Sequence, residues 1–245
     1  MVDSGLVRPA ESAALDEAIL AAHIEGLAPN TIHFYRRSMP TVSVGYFQRI
    51  EESLDLGECK RRGVAIVRRK SGGSSIYTDQ GQLIYGLVVN ESDVPKDRAE
   101  SFRVICSAIA SALSSFGLEA RYRPMNDVEV GGKKVSGNAQ LRRKGSVLQH
   151  GTVIVETDLE AMDAVLRIDA AKSRGVFRPS DRVTSLSNLL GKKVSIESVR
   201  VRMAEQIERT FGADIEPGSL SEWECAQVAW LVEQRYSRDS WNLKF

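Results

Sequence analysis

The chain has 245 residues, 42% of them hydrophobic and 27% charged, with 33 Lys plus Arg against 32 Asp plus Glu and a formal net charge of +1. This is the balance of a globular chain able to bury one large core, and it excludes a disordered or fibrous protein. The near-neutral charge also excludes the global basic surface that would hold a nucleic-acid backbone.

No apolar run reaches the ~18 residues of a membrane span. The first twenty residues, MVDSGLVRPAESAALDEAIL, carry acids and lack a basic-then-apolar leader pattern. Cys59, Cys106 and Cys225 are odd in number and far apart, so they form neither a disulfide framework nor a metal-binding pair. The expectation is a cytoplasmic protein in a reducing compartment, acting neither on nucleic acid nor in a membrane.

In chain order, Leu15, Ile19 and Ala22 recur at helical spacing and predict a core-facing helix over Ser12 to Ile24, with no chemistry of its own. TIHFYRRS and TVSVGYFQ, rich in β-branched and aromatic residues, read as two strands separated by Met39-Pro40. A short charged helix over LDLGECKRRG follows, then a strand VAIVRRKS that Gly72-Gly73 interrupts. SSIYTDQGQLIYGLVVN resumes as extended chain with a turn at Asp79-Gln80-Gly81.

Asp97 to Phe116 predicts the clearest helix: Asp97 and Glu100 make a capping box, Phe102, Ile105, Cys106, Ile109, Leu113 and Phe116 form one apolar stripe, and Gly117 ends it. RYRPMNDVEV, KKVSGNAQLRR and SVLQHGTVIVE then predict three strands, followed by a helix over DLEAMDAVLR and a long loop through SRGVFRPSDRVTSLSNLLG. Helices from about Ile196 to Phe211 and after Ser221-x-x-Glu224 complete the chain. No repeat or linker divides this order, so residues 1–245 read as a single domain. Adjacent strands without intervening helices favour an α+β fold with mixed, largely antiparallel sheets covered by helices.

Two segments hold residues suited to chemistry. RRKSGGSSIYTD (Arg68 to Asp79) joins arginines to a Gly-Gly turn and two hydroxyls, the parts needed to bring backbone amides close to an anion. GGKKVSGNAQ (Gly131 to Gln140) puts Lys133 and Lys134 at the mouth of a strand; if Val135 faces the core, Lys134 and Ser136 share the opposite face. The histidines His23, His33 and His150 show no metal-ligand spacing, and no metal site is readable.

With SVGYFQ, Asn126-Asp127, QHGTVIVETDL and DRVTSLSNLL, these segments resemble, in this order, the lipoate–protein ligase A family. Its class II synthetase-like catalytic domain is shared with biotin protein ligases and lipoyl or octanoyl transferases. The resemblance implies that Lys134 is catalytic, that Arg69 contacts nucleotide, and that Gly72, Gly73, Ser74, Ser75, Ile76 and Tyr77 form the loop around ATP or lipoyl-AMP. Asn126 and Asp127 orient Lys134, and Ser136, Gly137 and His150 support the site. The reaction it implies is ATP-dependent: lipoate, ATP and Mg²⁺ give lipoyl-AMP, and a lysine of a lipoyl carrier protein then takes the lipoyl group. The carrier is a 2-oxoacid dehydrogenase E2 lipoyl domain, a glycine-cleavage H protein or a similar domain.

The resemblance further implies that the family's C-terminal accessory domain is absent and is replaced by a separate small accessory ligase subunit. Two positions depart from the family pattern: Ser74 stands for its third glycine, and Thr78 for a histidine. Two rivals remain. A lipoyl or octanoyl transferase working through a cysteine thioester needs an accessible thiol near Lys134, and none is evident. A non-catalytic lipoate-binding homologue is suggested only by Ser74 and Thr78.

Overall fold

The computed structural model describes residues 1–168 and 178–245. Among them the strands are β1 (Val2–Val7), β2 (Thr31–Arg37), β3 (Thr41–Val44), β4 (Ala65–Arg68), β5 (Ile76–Thr78), β6 (Gln82–Asn90), β7 (Ala120–Arg123), β8 (Asp127–Val130), β9 (Lys133–Arg143) and β10 (Ser146–Ile154). The helices are α1 (Pro9–Ile24), α2 (Ile50–Ser53), α3 (Leu56–Arg61), α4 (Arg98–Ser114), α5 (Leu159–Val165), α6 (Leu186–Leu190), α7 (Ile196–Phe211), α8 (Glu222–Leu231) and α9 (Asp239–Asn242).

The strands make a seven-stranded sheet in the order β1-β2-β6-β10-β9-β8-β7 and a three-stranded sheet in the order β4-β3-β5. All neighbours are antiparallel except β1 with β2 and β3 with β4, so the expected mixed α+β architecture is what forms. The two faces of the large sheet have different fates. On one, Phe34, Tyr85, Leu87, Val128, Val147 and Val153 close the main core with α4 and α7. On the other, Ile84, Val88 and Leu148 meet Leu15, Ile19 and Leu20 of α1. The far side of α1, Ala14 and Ala18, packs on Val67 of the small sheet. The small residues let α1 lie between the two sheets.

Local chemistry sets the element ends. α1 begins three residues earlier than its apolar spacing predicts, because Pro9 is preset for a first helical turn and the Arg8 and Glu11 side chains bind each other across it. The Asp97 carboxylate accepts from the Glu100 amide to open α4, and Ser221 with Glu224 forms the capping box of α8.

Two expectations are corrected. RYRPMNDVEV is not one strand: Pro124 lacks an N–H, the chain turns over 124–126, and β7 and β8 pair as a hairpin. The stretch read as a long loop contains α6, opened by the Ser185 hydroxyl and closed by Gly191 at φ +62°; its portion 173–177 lies outside the described residues. Among the described residues no helix is long and apolar enough to cross a membrane.

Candidate functional site

A cavity of about 1760 Å³ lies between α1, the small sheet and one face of the large sheet. That exceeds the volume of a typical small-molecule pocket.

Lys134 reaches this cavity because of a bulge. In the β8–β9 ladder Val128 pairs with Ser136 but Glu129 pairs with Lys134, so Val135 is the extra residue. The bulge reverses the alternation that put Lys134 and Ser136 on one face. Ser136 and Val135 are fully buried toward the main core, whereas Lys134 turns to the cavity face with Asp127 and Gly137. Its Nζ lies 2.6 Å from Asp127 Oδ1 and crosses the bare Cα of Gly137, where an added Cβ would sit 2.4 Å from Nζ and from Cε. The Lys134 amide donates to the Arg182 carbonyl and its carbonyl accepts from the Thr184 amide, so the DRVTSL segment runs alongside as an extra edge.

The loop from Arg69 to Tyr77 forms the opposite wall. Arg69 braces it from within: Nε donates to Ser71 Oγ at 3.1 Å, Nη1 to the Ser43 carbonyl at 2.7 Å, and Nη2 to the carbonyls of Gly72 at 2.8 Å and Ser74 at 2.9 Å. Most of its donors therefore hold protein, and burial, with the nearby charge of Arg37, lowers its pKa to about 10. Gly73 has φ +99°, and its carbonyl sits 1.9 Å from where a Gly45 Cβ would stand, so the loop packs directly on the SVGYFQ turn. Ser75 Oγ donates to Gln48 Oε1 at 2.8 Å. Among the described residues nothing accepts from the amides of Gly72, Gly73 or Ser74. Ser74 is exposed, Ile76 is half-buried and Tyr77 is buried in the small-sheet core. Thr78 is fully buried; its hydroxyl donates to the Thr41 carbonyl and accepts from Arg37 Nε, both at 3.3 Å.

One group went unnoticed in the sequence. Asp16 of α1 places Oδ2 2.6 Å from His150 Nδ1, and His150 Nε2 lies 2.7 Å from Ser71 Oγ. Gly86 pairs directly with His150 and makes the space: a Cβ there would lie 2.9 Å from Asp16 Oδ1. An acidic residue next to the apolar stripe of a buried helix was the available signal.

The core face holds a separate polar network. Tyr85 Oη donates to Asn138 Oδ1 at 2.6 Å, Asn138 Nδ2 donates to the Asn126 carbonyl at 2.9 Å, and Asn126 Nδ2 returns a bond to the Asn138 carbonyl. Gln149 Nε2 donates to Tyr85 Oη and, at 3.7 Å, to Cys106 Sγ. Gln149 alternates with His150 along β10, so the sheet stands between Cys106 and the cavity. Burial pushes the Cys106 thiol up to about 12. Cys59 is also buried, and Cys225 is exposed on α8.

The sequence profile of the lipoyl protein ligase A/B catalytic domain matches residues 8–208. The octanoyltransferase LipM of Geobacillus kaustophilus is 33% identical over 270 aligned positions, covering 99% of this chain and 97% of that protein. Among solved structures, a bipartite lipoate protein ligase of Thermoplasma acidophilum, studied with its E2 lipoyl domain, superposes with a TM-score of 0.84 at 31% identity, covering 99% of this chain and 96% of that one. A lipoate-protein ligase A bound with ATP gives 0.86 at 30%, covering 98% and 96%.

These findings correct the expected ATP-dependent lipoate–protein ligase. Curated relatives aligned over essentially the whole chain are octanoyltransferases. The physical reason is that the motif segments build a glycine loop and a lysine-bearing wall of one cavity, and these residues do not by themselves specify which reaction is run there. The chain belongs to the lipoyl protein ligase A/B catalytic domain family.

Proposed function

We propose that the chain is an octanoyltransferase: it moves an octanoyl group from the thioester of an acyl carrier protein to the ε-amine of a lysine on a lipoyl-type carrier domain, and residues 1–245 work as one catalytic unit. The full-length likeness to LipM carries this reading. The T. acidophilum relative studied with an E2 lipoyl domain supports the class of acceptor.

In this reading the apolar part of the cavity, including Leu20, Ile84 and Leu148, takes the acyl chain. The Lys134 ammonium, aimed by Asp127 across Gly137, faces the thioester carbonyl and offsets the negative charge that grows on its oxygen as the amine attacks. The amides of Gly72, Gly73 and Ser74 are further donors, presented by a loop that Arg69 holds in shape; Ser75, Ile76 and Tyr77 anchor its far end to Gln48 and the small sheet. Asn126 fixes the turn before Asp127, and Ser136 seats the bulge. Lys134 and the loop thus supply alignment and charge compensation. No described cysteine lines the cavity, so the acyl group passes directly from carrier sulfur to acceptor nitrogen.

The test combines purified chain, octanoyl-carrier thioester and a lipoyl domain without ATP, and follows the mass of the acceptor. Octanoylation of its lysine, unchanged by added ATP and chelator, is the expected result. Failure to use the thioester, with acylation from free octanoate or lipoate that depends on ATP, overturns the reading.

A further inference from the structure

An amine that attacks a carbonyl must shed a proton as the new bond forms, and Lys134 cannot take it, being a cation ion-paired to Asp127. The group placed to do so is on the same sheet face. Gly137, over which the Lys134 ammonium lies, pairs with Thr152, two residues along β10 from His150. Such diagonal neighbours are about 7–8 Å apart, so the lysine and the histidine open on the same stretch of the cavity wall. Ser71, His150 and Lys134 all line the cavity.

We infer that Ser71, His150 and Asp16 form a proton relay that serves as the general base for the acceptor lysine. This rests on the reading that a lysine amine is acylated in this cavity, but holds for any acyl donor.

The hydrogen bonds assign its polarity. An ionised carboxylate only accepts, so the 2.6 Å contact to Asp16 Oδ2 puts the His150 proton on Nδ1. Nε2 is then the acceptor, and the 2.7 Å contact makes the Ser71 hydroxyl its donor. Ser71 Oγ has two lone pairs; Arg69 Nε–H occupies one at 3.1 Å, and the other is left for the incoming amine. The Ser71 carbonyl accepts from the Tyr46 amide at 3.0 Å, which fixes the residue's backbone.

In the step, the amine nitrogen bonds to the acyl carbon as one of its protons passes to Ser71 Oγ. The hydroxyl's own proton moves to His150 Nε2, and Asp16 stabilises the imidazolium. When the carbon–sulfur bond breaks, the thiolate takes that proton back through the same hydroxyl. The products are an amide and a free thiol. The incoming ammonium loses its first proton to solvent beforehand. Among the described residues, the charged and titratable groups around the relay are His33, Tyr35 and Arg37 from β2, Arg69 and the Lys70–Glu17 pair from the loop and α1, Arg235 and Tyr236, which bind Glu17, from the segment after α8, and the Lys134–Asp127 pair from β9 and β8.

The test measures transfer by wild type, Ser71→Ala, His150→Gln and Asp16→Asn across pH 6 to 9.5. Octanoyl-carrier thioester and an activated aryl octanoate are run side by side as donors. At pH 7 the variants lose about 10²-fold or more in kcat while KM for the lipoyl domain holds. Their deficit shrinks as pH rises, because solvent base replaces the relay. Ser71→Thr, which keeps a hydroxyl, recovers part of the rate. A deficit constant across pH, or one confined to KM, overturns the relay, as does a stable octanoyl ester on Ser71. If His150→Gln fails to fold, as judged by circular dichroism, Ser71→Ala decides. Wild-type refusal of the thioester counts against the transferase reading alone, since the pH profiles with the aryl ester still decide the relay.

Discussion

The Lys134–Asp127 pair offers a separation of charge from architecture. At 2.6 Å, with side chains 29% and 16% exposed, the pair has a gross attraction of about 6 kcal/mol at an effective dielectric of about 20, most of it offset by lost hydration. Lys134→Met keeps the stem over Gly137 but leaves Asp127 without its cation, at a net cost of about 1–3 kcal/mol. For a chain of this length that lowers Tm by about 2–4 °C per kcal/mol. Adding Asp127→Asn removes the stranded charge and restores most of the melting temperature. Transfer behaves differently: both variants remain about 10²- to 10³-fold down in kcat, the loss typical of one aimed electrostatic donor. The assays are thermal melts by circular dichroism and steady-state acylation of a lipoyl domain. A double variant that regains transfer along with stability would refute the argument, because the lysine would then matter only as Asp127's partner.

Three further outcomes are expected. Gly137→Ala brings a methyl group within 2.4 Å of the Lys134 ammonium; the lysine moves off, kcat falls by about 10-fold or more, and an unaltered rate would show that the position of Nζ is not critical. In native protein Cys225 reacts with iodoacetamide while Cys106, buried and with its thiol pushed up to about 12, does not, and a chain with all three cysteines replaced still transfers octanoate; loss of transfer in a folded cysteine-free chain would restore a thiol mechanism. Burial lowers the pKa of His33 to about 4, so it is neutral in the fold and binds a proton more readily when unfolded. Its contribution is complete above pH 6.5 and is lost as pH falls toward 4, up to about 3 kcal/mol, and His33→Asn should flatten that stretch of the stability curve measured by urea titration.

Much of this protein was determined by local sequence. Period-two and period-3.6 patterns, with Asp97 and the Ser221–Glu224 pair as start signals, were enough for most elements, because a strand or capped helix is specified by its own residues and near neighbours. The motif segments likewise revealed the family and the α+β class. Three matters were decided only in three dimensions. The bulge at Val135 turned Lys134 away from Ser136, and a bulge is a mismatch between two strands, invisible in either alone. The sheet placed Cys106 opposite the cavity, against Gln149 on the core face. The relay joins Asp16, Ser71 and His150 across as many as 134 positions, and it forms because Ala14 and Ala18 let α1 sit between two sheets while Gly86 leaves the carboxylate its space. Spacing along a chain reports which residues share an element face; which faces meet is set by packing, and that is where this protein's candidate chemistry is assembled.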